Sequence, residues 1–155
     1  MRVIICEEDY SYIEIVHSTL EKYATLKGIN AEFNLTTRKP SSVIKSLSGS
    51  MAEFYYISLD LSESIKAEEL IEAIRKEDQN CLIVALSQNP ESFNAKLIEQ
   101  YNIFATIDMS DRTTMTEQLK SSLVDGFQHY KSLNYFGSLS NNVGESFQLN
   151  KNRLV

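Results

Sequence analysis

The chain has 155 residues, 43% of them hydrophobic and 23% charged, with a formal net charge of −6. A globular chain of this length buries a core without disulfide or metal staples, and its acidity argues against holding nucleic acid by itself. No apolar run approaches the roughly 18–20 residues of a membrane helix. The two cysteines, Cys6 and Cys81, lie far apart in apolar settings and read as reduced cytosolic thiols.

Strands and helices alternate along the sequence. Arg2–Cys6 is a short apolar run of the kind buried on both faces of a sheet. Ile13, Val16, Leu20 and Tyr23 then repeat along one helical face, and Gly28 stops that helix. Ala31–Leu35 is predicted as a second strand. Pro40 opens a short helix with Val43, Ile44 and Leu47 inward. Phe54–Leu59 is a third, aromatic-rich strand, followed by a helix over Ile65–Arg75 that turns Ala67, Leu70, Ile71 and Ile74 inward.

Cys81–Ser87 is the most apolar run and reads as a central strand. Pro90 is expected to start a helix carrying Phe93, Leu97, Ile98 and Tyr101, and Phe104–Ile107 a fifth strand. From Asp111 a longer helix buries Met115, Leu119, Leu123, Phe127 and Tyr130. Five strands alternating with five helices predict a doubly wound α/β domain with a five-stranded parallel sheet, since parallel neighbours need crossover connections. The domain is expected over 1–136, a Gly/Ser/Asn-rich linker over 137–146, and the stump of a second domain over 147–155.

In such sheets functional groups collect beyond the carboxyl ends of the strands. The first strand ends in three carboxylates, Glu7, Glu8 and Asp9, which repel one another unless a cation or positive partner offsets them. The third strand runs into Ser58, Leu59 and Asp60, the fourth ends at Ser87, and the fifth at Asp108 and Met109. His17 and His129 fall on separate helices. The sequence has no Gly-rich phosphate loop, HExxH, GxSxG or Cys/His metal spacing.

An acidic cluster, a strand-three site, a hydroxyl and a strand-five site in this order resemble the flavodoxin/CheY-like receiver domain of bacterial response regulators. The likeness is greatest to those with a LytTR-type DNA-binding domain. It rests on IleCysGluGluAsp at 5–9, TyrTyrIleSerLeuAspLeuSer at 55–62 and IleArgLysGluAsp at 74–78, with SerPheGlnLeu at 146–149 resembling the opening of the LytTR domain. The resemblance implies transfer of a phosphoryl group from a histidine kinase to an aspartate, with Mg²⁺ held by the acidic pair. Glu7 and Glu8 then correspond to that pair, with Glu8 the direct metal ligand, and Ser87 to the switch hydroxyl that bonds the phosphoryl oxygen.

Two key positions depart from the family pattern. Ser58 stands where the phosphoacceptor aspartate is expected, and Met109 where the lysine is expected, with no lysine between Lys96 and Lys120. Thr106 replaces the aromatic switch residue. A serine hydroxyl without a base is a poor nucleophile, and without the lysine the charge on a transferring phosphoryl group loses a main stabiliser. The sequence therefore reads as a phosphorylation-independent receiver that needs no cofactor and is not an enzyme. In the competing reading Asp60 is the acceptor and Mg²⁺ is retained; on a continued strand Asp60 would sit one pleat beyond Ser58, roughly 6–7 Å along.

The resemblance also suggests a homodimer through the face of the fourth helix, fifth strand and fifth helix, where Lys96, Glu99, Asp111, Arg112, Glu117 and Lys120 supply both signs of charge. A sensor kinase or another regulator is a possible partner. DNA would be reached only through a C-terminal domain missing from this chain.

Overall fold

The computed structural model describes residues 1–147, with side chains through Leu133. Five strands, β1 (Arg2–Cys6), β2 (Glu32–Thr37), β3 (Phe54–Ser58), β4 (Leu82–Ser87) and β5 (Ala105–Asp108), pair in parallel in the order β2-β1-β3-β4-β5. Between and after them run α1 (Tyr10–Lys27), α2 (Pro40–Ser46), α3 (Ala67–Glu77), α4 (Ala95–Tyr101) and α5 (Arg112–Phe147). The predicted doubly wound α/β class is the observed one.

Local chemistry explains most boundaries. Asp9 caps α1, its Oδ1 accepting from the Ser11 and Tyr12 amides at 3.0 and 3.2 Å. At the other end Gly28 takes φ +68°, a left-handed conformation that costs glycine nothing, and its N–H closes on the last carbonyls of the helix. Pro40 occupies the first turn of α2, where its missing N–H is not needed. Residue 90 behaves differently from expectation. Pro90–Ser92 forms only a 3-10 turn, and α4 begins at Ala95 under an Asn94 side chain that accepts from the Leu97 amide at 2.8 Å.

Alternation along the strands divides the core between the two faces of the sheet. On one face Ile4, Tyr55, Ile57, Ile83 and Ala85 pack with Val43 of α2, with Leu70, Ile71 and Ile74 of α3, and with Tyr101 of α4. Each fully buried aliphatic side chain in such a cluster contributes about 1.5–3 kcal/mol. On the opposite face lie Val3, Ile5, Phe54, Tyr56, Val84 and Leu86, all fully buried. There the Tyr56 hydroxyl meets Ser122 Oγ of α5 at 2.8 Å, so a buried polar group is satisfied rather than stranded.

The described residues divide after Leu123 into two units. The first holds the sheet and the core. In the second, the rings of Phe127 and Tyr130 stack at 6.5 Å, and Leu133 is exposed. Residues 137–146, expected as a linker, continue α5 instead. Of the predicted stump, 147–155, Phe147 ends the helix and 148–155 lie outside the described residues. Among the described residues no helix is long and apolar enough to cross a membrane.

Candidate functional site

β1 lies between β2 and β3, so the chain leaves it in opposite directions and a crevice opens beyond the carboxyl ends of β1 and β3. An open groove of about 650 Å³ occupies this place, its lining including Glu7, Glu8, Arg38, Lys39, Asp60 and Gln88. The acidic cluster read from the sequence is thus split among three tasks.

Asp9 faces α1 and caps it. Glu8 turns toward the loop after β3, where Oε1 accepts from the Ser62 amide and hydroxyl and Oε2 from the Glu63 amide, all at 3.0 Å. Its slight burial is outweighed by these bonds and by Lys66, and the carboxyl is held below its usual range. The Glu8 carbonyl accepts from Arg38 Nε at 2.7 Å.

Glu7 is the buried member, 2% exposed. Its Oε2 accepts from the Asp9 amide at 2.9 Å, while Oε1 has no hydrogen-bond partner. Burial pushes its carboxyl above the ordinary range. The Asp9 amide and the Ser58 hydroxyl pull the other way, and the negative charges of Asp60 and Asp9 add to the rise. Burial, with Glu7 and Glu8 alongside, also drives the Cys6 thiol up to about 12, which makes it inert at neutral pH.

Ser58 is the last residue of β3 and has no exposed surface. Its Oγ accepts from the Asp60 amide at 3.0 Å, a local turn that ends the strand at once. Asp60 therefore does not sit one pleat further out, as a continued strand would have placed it. The turn carries its carboxylate across to the end of β4, where Ser87 Oγ donates to Oδ1 and the Gln88 amide to Oδ2, both at 2.8 Å. Sequence reasoning missed this role for Gln88, because a backbone donor leaves no mark on residue type.

Met109 follows β5 and is 1% exposed, with its amide donating to the Ser87 carbonyl at 2.8 Å. Thr106 lies on β5 opposite Ala85 and is half-buried. Of the charged residues proposed for a dimer face, Lys96, Glu99, Asp111, Arg112 and Glu117 are exposed and Lys120 is half-buried. Two of the six have local tasks. Asp111 accepts from the Thr114 amide at 2.8 Å at the start of α5, and Lys120 Nζ lies 5.3 Å from the Tyr23 ring of α1.

These side chains do not fit a magnesium ion in this arrangement. Among the described residues no three His, Cys, Asp or Glu groups form a metal-binding set. Glu8 and Asp60 each turn both oxygens to protein donors and Asp9 is turned to the start of α1, while burial disfavours the charged form of Glu7. Magnesium requires about six oxygens in a near-octahedral set.

No known family profile matches the sequence, and no curated protein matches it either. Solved structures do match. The response regulatory domain of protein mrkE from Klebsiella pneumoniae is 15% identical, with a TM-score of 0.68 over 83% of this chain and 99% of that one. The receiver domain of AraT, a response regulator from Geobacillus stearothermophilus, is 11% identical, with a TM-score of 0.67 over 84% and 95%. The receiver domain of a sensor histidine kinase from Pseudomonas aeruginosa, solved with a magnesium ion in its active site cleft, is 11% identical, with a TM-score of 0.65 over 82% and 97%. The chain has the CheY-like fold of response-regulator receiver domains.

Proposed function

We propose that this domain is an atypical receiver that acts without phosphorylation, as the regulatory part of a LytTR-type transcription regulator. The observation that carries the reading is Ser58 at the acceptor position, fully buried and bonded to the Asp60 amide. The apolar Met109 at the lysine position supports it, since the end of β5 supplies no cation from that position to a transferring phosphoryl group. So does the arrangement of Glu8 and Asp60, each of which turns both carboxylate oxygens to protein donors. In this reading the domain is no enzyme and uses no cofactor.

Control then passes through protein contact in the cytoplasm. A second copy docks on the face of α4, β5 and α5, where Lys96, Glu99, Arg112 and Glu117 offer complementary charge, or another regulator does so. The division into a receiver over 1–136, a connecting segment over 137–146 and a DNA-binding domain opening at 147–155 belongs to this proposal. Dimerisation would set the spacing of two such domains, and a pre-formed conformation replaces the phosphorylation switch.

One observation favours a second reading, a conventional phospho-receiver served by a sensor kinase. Asp60 lines the groove and touches the hydroxyl of Ser87. Incubation with acetyl phosphate and Mg²⁺ followed by intact-mass measurement separates the two. The proposal expects no adduct, together with a dimer by sedimentation under both conditions. A phosphate adduct mapped to Asp60 overturns it and establishes the second reading.

A further inference from the structure

The geometry points to Asp60 as a built-in ligand, its carboxylate filling an oxyanion cradle at the end of β4 that an external phosphate-like anion would otherwise occupy. The two donors arrive one per oxygen, Ser87 Oγ on Oδ1 and the Gln88 amide on Oδ2, both at 2.8 Å. A hydroxyl and a backbone N–H converging on a charged group make short, charge-assisted bonds, as fixed donors do in oxyanion sites.

Both sides of the contact are fixed before the carboxylate is added. Ser87 is fully buried, its Oγ also accepts from the Asn89 amide at 2.9 Å, and its carbonyl is held by the Met109 amide at 2.8 Å. On the other side the Leu59 amide donates to the Leu86 carbonyl at 2.7 Å and the Asp60 amide to Ser58 Oγ at 3.0 Å. Position 60 is thus delivered to the end of β4 by one backbone bond and by the Ser58 hydroxyl, without help from its own carboxylate. The two groups that bond the Asp60 carboxylate, a hydroxyl and a backbone amide, are both neutral.

The device ties the loop after β3 to the loop after β4 permanently, from within the chain. An external oxyanion gains the cradle only by displacing Asp60, and its apparent affinity falls by the fraction of time the cradle is open. The inference deepens the proposed function and rests on it in one respect, that Asp60 stays unmodified.

The test is a titration of the full chain with inorganic phosphate, followed through the amide resonances of Gln88 and Asn89. Asp60→Ala frees the Gln88 amide and leaves the Ser87 hydroxyl only the more distant Asn89 carbonyl at 3.1 Å, and saturable shifts are expected there at phosphate concentrations about tenfold or more below any that move the wild-type resonances. Asp60→Ser, too short to reach both donors but able to keep a polar group in the turn, takes its place if the alanine variant does not fold. A folded variant with unmoved Gln88 and Asn89 resonances overturns the cradle, and so does a wild type that binds phosphate as tightly as the variant. An acetyl phosphate adduct on Asp60 would instead overturn the phosphorylation-independent reading, and the titration of the variant would still decide the cradle.

Discussion

Arg75 Nε of α3 donates to the Tyr101 carbonyl at the end of α4 at 2.8 Å. The same buried guanidinium reaches the Cys81 carbonyl at 2.8 Å, Asn102 at 3.1 Å and Asp78 at 3.3 Å. Asn102 bends into the left-handed region at φ 54° just as α4 ends, which leaves the last helical carbonyls open to this fork. Carbonyl oxygens, reinforced by the negative end of the helix dipole, meet the charge in place of a carboxylate.

Removing that fork strands several inward-facing acceptors at once. Arg75→Ala is expected to lose on the order of 3 kcal/mol, read from the denaturant midpoint. Arg75→Lys should recover less than half, because one ammonium cannot serve the planar set. Full rescue by lysine would mean that charge alone matters there.

Glu7 makes stability depend on pH in an uncommon direction. Its folded pKa lies above its unfolded one, so the native state binds more protons between the two values, and stability falls as the pH rises through that window. Glu7→Gln keeps an acceptor for the Asp9 amide and cannot ionise. The variant should melt a few degrees above wild type at pH about 8, the equivalent of about 1 kcal/mol, and match it at pH about 4. An equal gap at both values would rule out ionisation as the cause.

Asp9 carries the opposite sign. The Ser11 hydroxyl and the Tyr12 amide hold its carboxyl below 3.8, so its capping contribution is present above that value and fades as the pH falls through the depressed one. Asp9→Ala should cost about 1 kcal/mol at neutral pH, while Asp9→Asn should cost only a fraction of that. Thermal melts of both variants across acid pH check the pair.

Position 58 tests the likeness to conventional receivers. Ser58→Asp places a second carboxylate beside the buried Glu7 and should cost about 2–4 kcal/mol. Adding Met109→Lys supplies a cation from the end of β5, and a double-mutant cycle should show favourable coupling of at least about 0.5 kcal/mol. Simple additivity would mean that residues 58 and 109 do not share a pocket.

Strand cores were legible because burial on both faces writes continuous apolar runs. Arg2–Cys6 was read with its observed limits, and Cys81–Ser87 differs from β4 by one residue. The start of α4 was not, because proline favours the first turn of a 3-10 and of an α-helix alike; the decisive cap is Asn94, four residues later. At the site, residue types located Glu7, Ser58, Asp60 and Ser87 at the right edge of the sheet. Their partnerships stayed hidden. A period of two assumes that the strand continues, whereas the Ser58 hydroxyl ends it, and the spacing Ser-x-Asp was the available signal for that turn. Arg75 gave no signal at all, since its acceptors are backbone carbonyls up to 27 residues away.

The strand order also sets a timetable for synthesis. β1 stands between β2 and β3 but is made before either, so it stays unpaired on one edge until Thr37 has emerged and on the other until Ser58 has. Thereafter β4 and β5 each join an edge that already exists. The nascent sheet meanwhile presents Tyr55 and Ile57 without the cover of Leu70, Ile71 and Ile74, which follows only when α3 is complete at Glu77. At about 5–20 residues per second that bare interval lasts about one to four seconds, during which the exposed apolar face is open to capture by chaperones or by its own copies.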